Sequence, residues 1–132
     1  MPRLVDELES QYWEPIANGP VAQADLTSVI AVPATIAGSG TFTSALQYAD
    51  GFKSIACGVT LSQTGTLQVQ RYVDRAGLVL QTAATATALT ASTPGVYNVT
   101  DGLPFQSFKV IITNSAGTPA NVTNFVLLLN AT

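Results

Sequence analysis

The sequence predicts an all-β protein: an antiparallel β-sandwich, jelly-roll or Ig-like, of about eight strands, preceded by an N-terminal arm that contains a short helix. Three observations predict it. Turn signals punctuate the chain at intervals of roughly 8–12 residues from Leu26 onward. Between them apolar and polar residues alternate with a period of two, as in Leu67-Gln68-Val69-Gln70. Before them, composition and periodicity differ. The segment 1–25 holds five of the eight acidic residues, the single Trp and the single Met. The chain therefore divides into an arm, 1–25, and a sandwich domain, 26–132.

In the arm, Leu4, Val5, Leu8 and Tyr12 recur at helical spacing and Trp13 follows; Pro15 then restricts Glu14 and ends the run. A helix of at most three turns is marginal alone in water, so its apolar side needs another surface. Asn18-Gly19-Pro20 is a turn signal. The expected strands are 26–32, 41–49, 54–61, 65–73, 78–89, 95–99, 107–114 and 122–130. The separating turns include Gly38-Ser39-Gly40, Asp50-Gly51, Asp74-Arg75-Ala76-Gly77, Pro94-Gly95 and Asp101-Gly102. Asp74–Gly77 makes a hairpin of its flanking strands. In strand 65–73, Arg71 falls on the apolar face, which predicts a bulge or the strand end near Tyr72-Val73. The Ala/Thr tract 82–93 reads as a flat, extended outer strand. Phe125-Val126-Leu127-Leu128-Leu129 is apolar on both faces, the mark of a central strand or of one whose outer face meets a partner.

Hydrophobic residues make up 47% of the 132 and charged residues 10%, against a usual charged share of roughly a quarter. Such a surface repels its neighbours weakly, which suits a subunit covered in an assembly. With five Lys and Arg and a net charge of −3, a phosphate-tracking surface and a nucleic-acid partner are not expected. The apolar runs are too short to span a bilayer, and no secretory signal is evident near Met1. Cys57, the only cysteine, sits in an apparent strand and reads as a buried, inert thiol.

No histidine occurs anywhere, which removes His-based triads, His-ligated metals and the commonest general base. Asp50, Asp74 and Asp101 lie in separate turns, where Asp is favoured because its carboxylate bonds the nearby backbone. The body holds no glutamate, so the converging carboxylate pair of a glycosidase is missing. No catalytic residue, metal or cofactor is expected. Tyr48, Tyr72, Tyr97 and Phe105 fall at strand ends or turns, where they either plug the sandwich ends or stack on a sugar. Phe42, Phe52, Phe108 and Phe125 read as core. Three Asn-X-Thr sequons, at Asn98, Asn121 and Asn130, are put down to chance in a Thr-rich chain.

The Ala/Thr/Gly-rich neutral strands, the missing His, the lone Cys and the arm ahead of the sandwich together resemble small virion proteins of tailed bacteriophages, in particular capsid decoration (cement) subunits. The resemblance implies a virion location and a homo-oligomer, with a trimer favoured. It implies the major capsid protein or other virion subunits as partners, and a role in stabilising the assembled shell. In such a role the arm residues Leu4, Val5, Leu8, Tyr12 and Trp13 would grip the neighbour. The alternative reading is a carbohydrate-binding or host-adhesion module, using Tyr48, Tyr72, Tyr97 and Phe105.

Overall fold

A computed structural model describes residues 23–82 and 85–131. Two antiparallel five-stranded sheets enclose one core. The strands in chain order are β1 (Gln23–Asp25), β2 (Thr35–Ile36), β3 (Thr41–Thr43), β4 (Gln47–Tyr48), β5 (Ser54–Leu61), β6 (Gly65–Tyr72), β7 (Thr87–Leu89), β8 (Gly95–Val99), β9 (Ser107–Asn114) and β10 (Ala120–Asn130). The first sheet runs β1-β10-β5-β8, with β2 also on β10; the second runs β3-β9-β6-β7, with β4 also on β9.

The four long strands carry the clean alternations. In β5, Ile55, Cys57, Val59 and Leu61 are buried while the residues between them are half-exposed. Leu67, Val69, Val110 and Ile112 do the same for β6 and β9 from the facing sheet. A period of two puts one set of side chains in the core, and burying each such aliphatic side chain is worth roughly 1.5–3 kcal/mol.

β10 keeps this logic only through a shift of register. Thr123 pairs with Thr60 and Val126 with Gly58, so Asn124 and Phe125 together face Val59. Asn124 takes the left-handed backbone, φ 55°, which Asn tolerates better than most residues. The bulge resets the alternation. Phe125, Leu127 and Leu129 turn inward, and Val126 and Leu128 turn outward. The apolar run thus belongs to a central strand, and its outward side chains, Val126 and Leu128, are not fully covered by the described residues.

Several sequence expectations need correction. The segment 26–32 is a turn region; the edge strand is β1, three residues earlier, and it lies inside the segment expected as the arm. Thr27 is bonded to the Asp25 carboxylate through its N–H, and its hydroxyl accepts from Leu127 N. The expected strand 41–49 breaks into β3 and β4, because Ser44 turns its hydroxyl to Val110 N in place of a ladder bond. The strand 78–89 does not run through. After the Asp74 turn a single bridge, Tyr72 to Leu80, continues the hairpin, and pairing resumes only at β7. Of the two outcomes expected at Arg71 the strand end is found and the bulge is not: β6 pairs with β9 without interruption and ends at Tyr72, and the guanidinium goes into the interior. The helix expected in the arm lies outside the described residues.

Candidate functional site

The two outer faces of the sandwich have opposite chemistry. On the second sheet, register places Tyr48 and Tyr72 on either side of Ser107. Arg75 stacks its guanidinium 3.9 Å from the centre of the Tyr48 ring and reaches Asp50 at 3.3 Å, while Lys109 Nζ lies 5.8 Å from the Tyr72 ring. Tyr72 donates its hydroxyl proton to Gln70 at 2.8 Å. Further along the same face the rungs are polar except at Ile111: Thr43, Ile111 and Gln68, then Thr41, Thr113 and Thr66. The face is a ladder of hydroxyls and amides with two tyrosines and two cations at one end.

The turn beside these tyrosines is held by Asp74. Its carboxylate accepts from Leu78 N and Val79 N at 2.7–3.0 Å, bonds that hold its carboxyl below the usual range. The backbone carbonyl of Asp74 in turn accepts the Ser107 hydroxyl at 2.7 Å. That turn pushes Leu78, Val79 and Leu80 outward, Leu78 being 82% exposed.

On the first sheet the middle of the outer face is apolar. Val126 pairs with Gly58, and Gly58 with Val96; Leu128 pairs with Ala56, and Ala56 with Asn98. Ala56, Gly58, Pro94, Val96, Val126 and Leu128 line a groove of about 270 Å³. Gly58 is its floor. A Cβ there would sit 3.5 Å from Gly95 O, an ordinary contact, so the missing side chain leaves a dip that packing does not demand. Thr60 also lines the groove, and among the described residues its buried hydroxyl has no hydrogen-bond partner. Val96 and Val126 are 54% and 41% exposed.

The remaining expected site residues face the interior. Tyr97 pairs with the fully buried Cys57, packs against the core and has its hydroxyl pKa raised by burial. Phe105 is buried edge-on against Phe108, with Arg71 5.4 Å from its ring centre. Phe105 also lines a pocket with Phe52, Leu103 and Pro104. Leu4, Val5, Leu8, Tyr12 and Trp13 lie outside the described residues. Burial pushes the Cys57 thiol up to about 12, so it is neither a thiolate nor a nucleophile at neutral pH.

Asp101 does more than shape its turn. It accepts both arms of the Arg71 guanidinium, at 2.9 and 2.6 Å, and bonds Leu103 N. Sequence reasoning had flagged Arg71 as misplaced on an apolar face and Asp101 as a turn residue, without joining them. Among the described residues no group of three or more His, Cys, Asp or Glu could hold a metal ion. No helix among them is long and apolar enough to cross a membrane.

No protein-family model matches the chain, and no curated protein matches it. Among solved structures it is similar to one titled "Crystal structure of PirA", with 14% sequence identity, a TM-score of 0.43, and coverage of 82% of this chain and 92% of that one. A likeness at that level carries no argument about this protein's role.

Proposed function

We propose that this protein is a non-enzymatic virion structural subunit, of the capsid decoration type, that binds an assembled shell through protein–protein contacts and stabilises it. The observation that carries the reading is the apolar outer face of the first sheet, on a chain with only 10% charged residues. Extended apolar surface rimmed by polar residues is the mark of an interaction site. A ligand that binds only the assembled shell adds its binding free energy to the stability of that shell. The strand orders β1-β10-β5-β8 and β3-β9-β6-β7 are those of a jelly roll, with β2 and β4 added, an architecture used by viral capsid and lectin domains alike. The fold therefore fits the reading without deciding it. The partners would be the major capsid protein or other virion subunits, with the protein itself a homo-oligomer, a trimer by the resemblance.

Removal of residues 1–22, which keeps β1 on β10, tests the arm's part in this. The expected result is a body that folds and no longer joins the assembly. Full occupancy of the shell by the truncated protein would remove the arm from the proposal, and failure of the intact protein to bind any shell would remove the proposal itself.

A second reading is favoured by one observation, the Tyr48 and Tyr72 rings flanking Ser107 beside Arg75 and Lys109. One exposed ring, Tyr48, beside a half-buried one, Tyr72, with hydrogen-bonding neighbours suits a carbohydrate. On a glycan array, binding should vanish in Tyr48→Ala and Tyr72→Ala. Tyr97→Ala is not a diagnostic change, because Tyr97 packs against the core. No bound glycan on the array dismisses this alternative.

A further inference from the structure

We infer that the groove on the outer face of the first sheet is the seat of the chain's own N-terminal segment, residues 4–13. The inference stands on the groove and the arm, and it does not require the virion reading.

Reach comes first. The described chain starts at Gln23, paired with Asn130, on the edge strand of the same sheet whose outer face bears the groove. From that rung to the Val126–Gly58 rung is four residues along β10, about 13 Å, and the groove's centre lies one to two strands across, about 5–10 Å. Residues 14–22 span up to about 30 Å when extended. They also contain Asn18-Gly19-Pro20, a turn signal in the sequence shortly before β1. The arm can therefore return over the sheet it has just left.

Complementarity comes second. At about 100° per residue, Leu4, Val5, Leu8 and Tyr12 fall within one arc about 100° wide, with Asp6, Glu7 and Ser10 on the opposite side. A helix of this kind is marginal without an apolar surface, and the groove lined by Ala56, Gly58, Val96, Val126 and Leu128 is such a surface without a charged side chain in it. Helix on sheet is the usual way to cover an apolar sheet face.

Tethering decides between the chain's own arm and that of a second copy. A short flexible linker holds its segment at a local concentration in the millimolar range, so a second copy competes only near that concentration. If partners in an assembly use the same face, the arm must leave it first.

The full chain supplies its own probe. Trp13 is the only tryptophan, and Cys57 is buried with its thiol protonated, so one introduced cysteine can be labelled selectively. In Asn98→Cys carrying a short-range acceptor at the rim of the groove, energy transfer from Trp13 should be strong. It should be unchanged by dilution and by mixing with unlabelled chain. Val126→Asp places a charge where the stripe would sit, and arm occupancy should fall about tenfold or more. Gly58→Leu fills the floor sterically and should do the same without a charge. The same acceptor on Leu78→Cys, in the exposed turn on the other sheet, should report little transfer. Transfer from the rim no greater than from Leu78→Cys overturns the inference, as does transfer indifferent to both groove variants. Transfer that falls on dilution or mixing assigns the groove to a second copy and overturns the tethered arrangement. Shell binding plays no part in these readings, so the inference and the proposed function fail separately.

Discussion

The second sheet is closed by two buried polar side chains at opposite ends, and they work differently. Asn114, at the end of β9, donates its amide hydrogens among the carbonyls of Ile36, Ala37 and Thr118, at 2.8–3.2 Å, and accepts from Ala116 N at 3.0 Å. It ties β2 and the turn before β10 to the sheet without any charge. Arg71, near the end of β6, is 6% exposed and is held by Asp101, which is 43% exposed. One end is a neutral knot sealed from water. The other is a charge pair with one partner still wet. The lesson is that a buried polar group costs little when its partners are all present, and the kind of partner decides which solvent conditions can undo it.

The largest effect should come from the neutral end. Asn114→Leu keeps the bulk, takes a donor from three carbonyls (Ala37 O keeps the Gly40 N–H) and strands the Ala116 N–H, so it should cost about 3 kcal/mol in urea unfolding. A loss under about 1 kcal/mol would mean that water replaces the amide, and the contrast between the ends would lose its basis. Next comes Asp101→Asn, expected to cost about 1–2 kcal/mol, less than a sealed pair because the carboxylate is half in water.

The pH dependence separates the ends more sharply. The Arg71 bond first, and Leu103 N with the Arg71 charge after it, hold the Asp101 carboxyl below its unfolded value despite partial desolvation. A depressed folded pKa gives stability that is present above the unfolded carboxylate range and is lost as pH falls through the folded pKa. Unfolding curves between about pH 5 and pH 2 should therefore be flatter in Asp101→Asn than in the parent. Asn114→Leu should keep the parent slope, since no titrating group is touched. Equal slopes in parent and Asp101→Asn would show that the pair contributes nothing.

The double variant Asn114→Leu with Asp101→Asn should be additive within about 0.5 kcal/mol, because the ends are separated by about 20 Å of strand. Coupling beyond that would mean the sheet transmits strain from end to end. The smallest change is expected at Arg75→Ala, within about 0.5 kcal/mol, since the Arg75–Asp50 pair is exposed on both sides.

The sequence made the long strands legible and the short ones not. Residues 54–61, 95–99 and 107–114 were read to the residue, since inward side chains at every second position leave one register possible. β1, β2, β4 and β7 have two or three residues each, too few for a period to show, and they are specified by the neighbour they pair with. Arg71 was seen as an anomaly. Its partner was 30 residues away in the other sheet's loop, a separation that spacing cannot bridge. The outer groove was half visible in the doubly apolar run 125–129. The bulge at Asn124 that assigns Val126 and Leu128 to the outside follows from pairing, which no local signal announces. Of the four candidate aromatics, Tyr48 and Tyr72 share a face and Tyr97 and Phe105 are turned in, a division set by the strand that Tyr48, Tyr72 and Tyr97 each occupy and by the β8–β9 loop for Phe105.

The position of β10 also fixes an order of events during synthesis. It lies between β1 and β5 and pairs with β2, so three strands made earlier have no common neighbour until it emerges. The second sheet waits in the same way for β9, which β3, β4 and β6 all adjoin, but β9 is made before β10 and completes it first. A nascent chain stopped before Ala120 therefore carries one closed sheet and a set of open strand edges. Open edges are templates for pairing with other chains. The nascent protein is at its most vulnerable just before β10 appears.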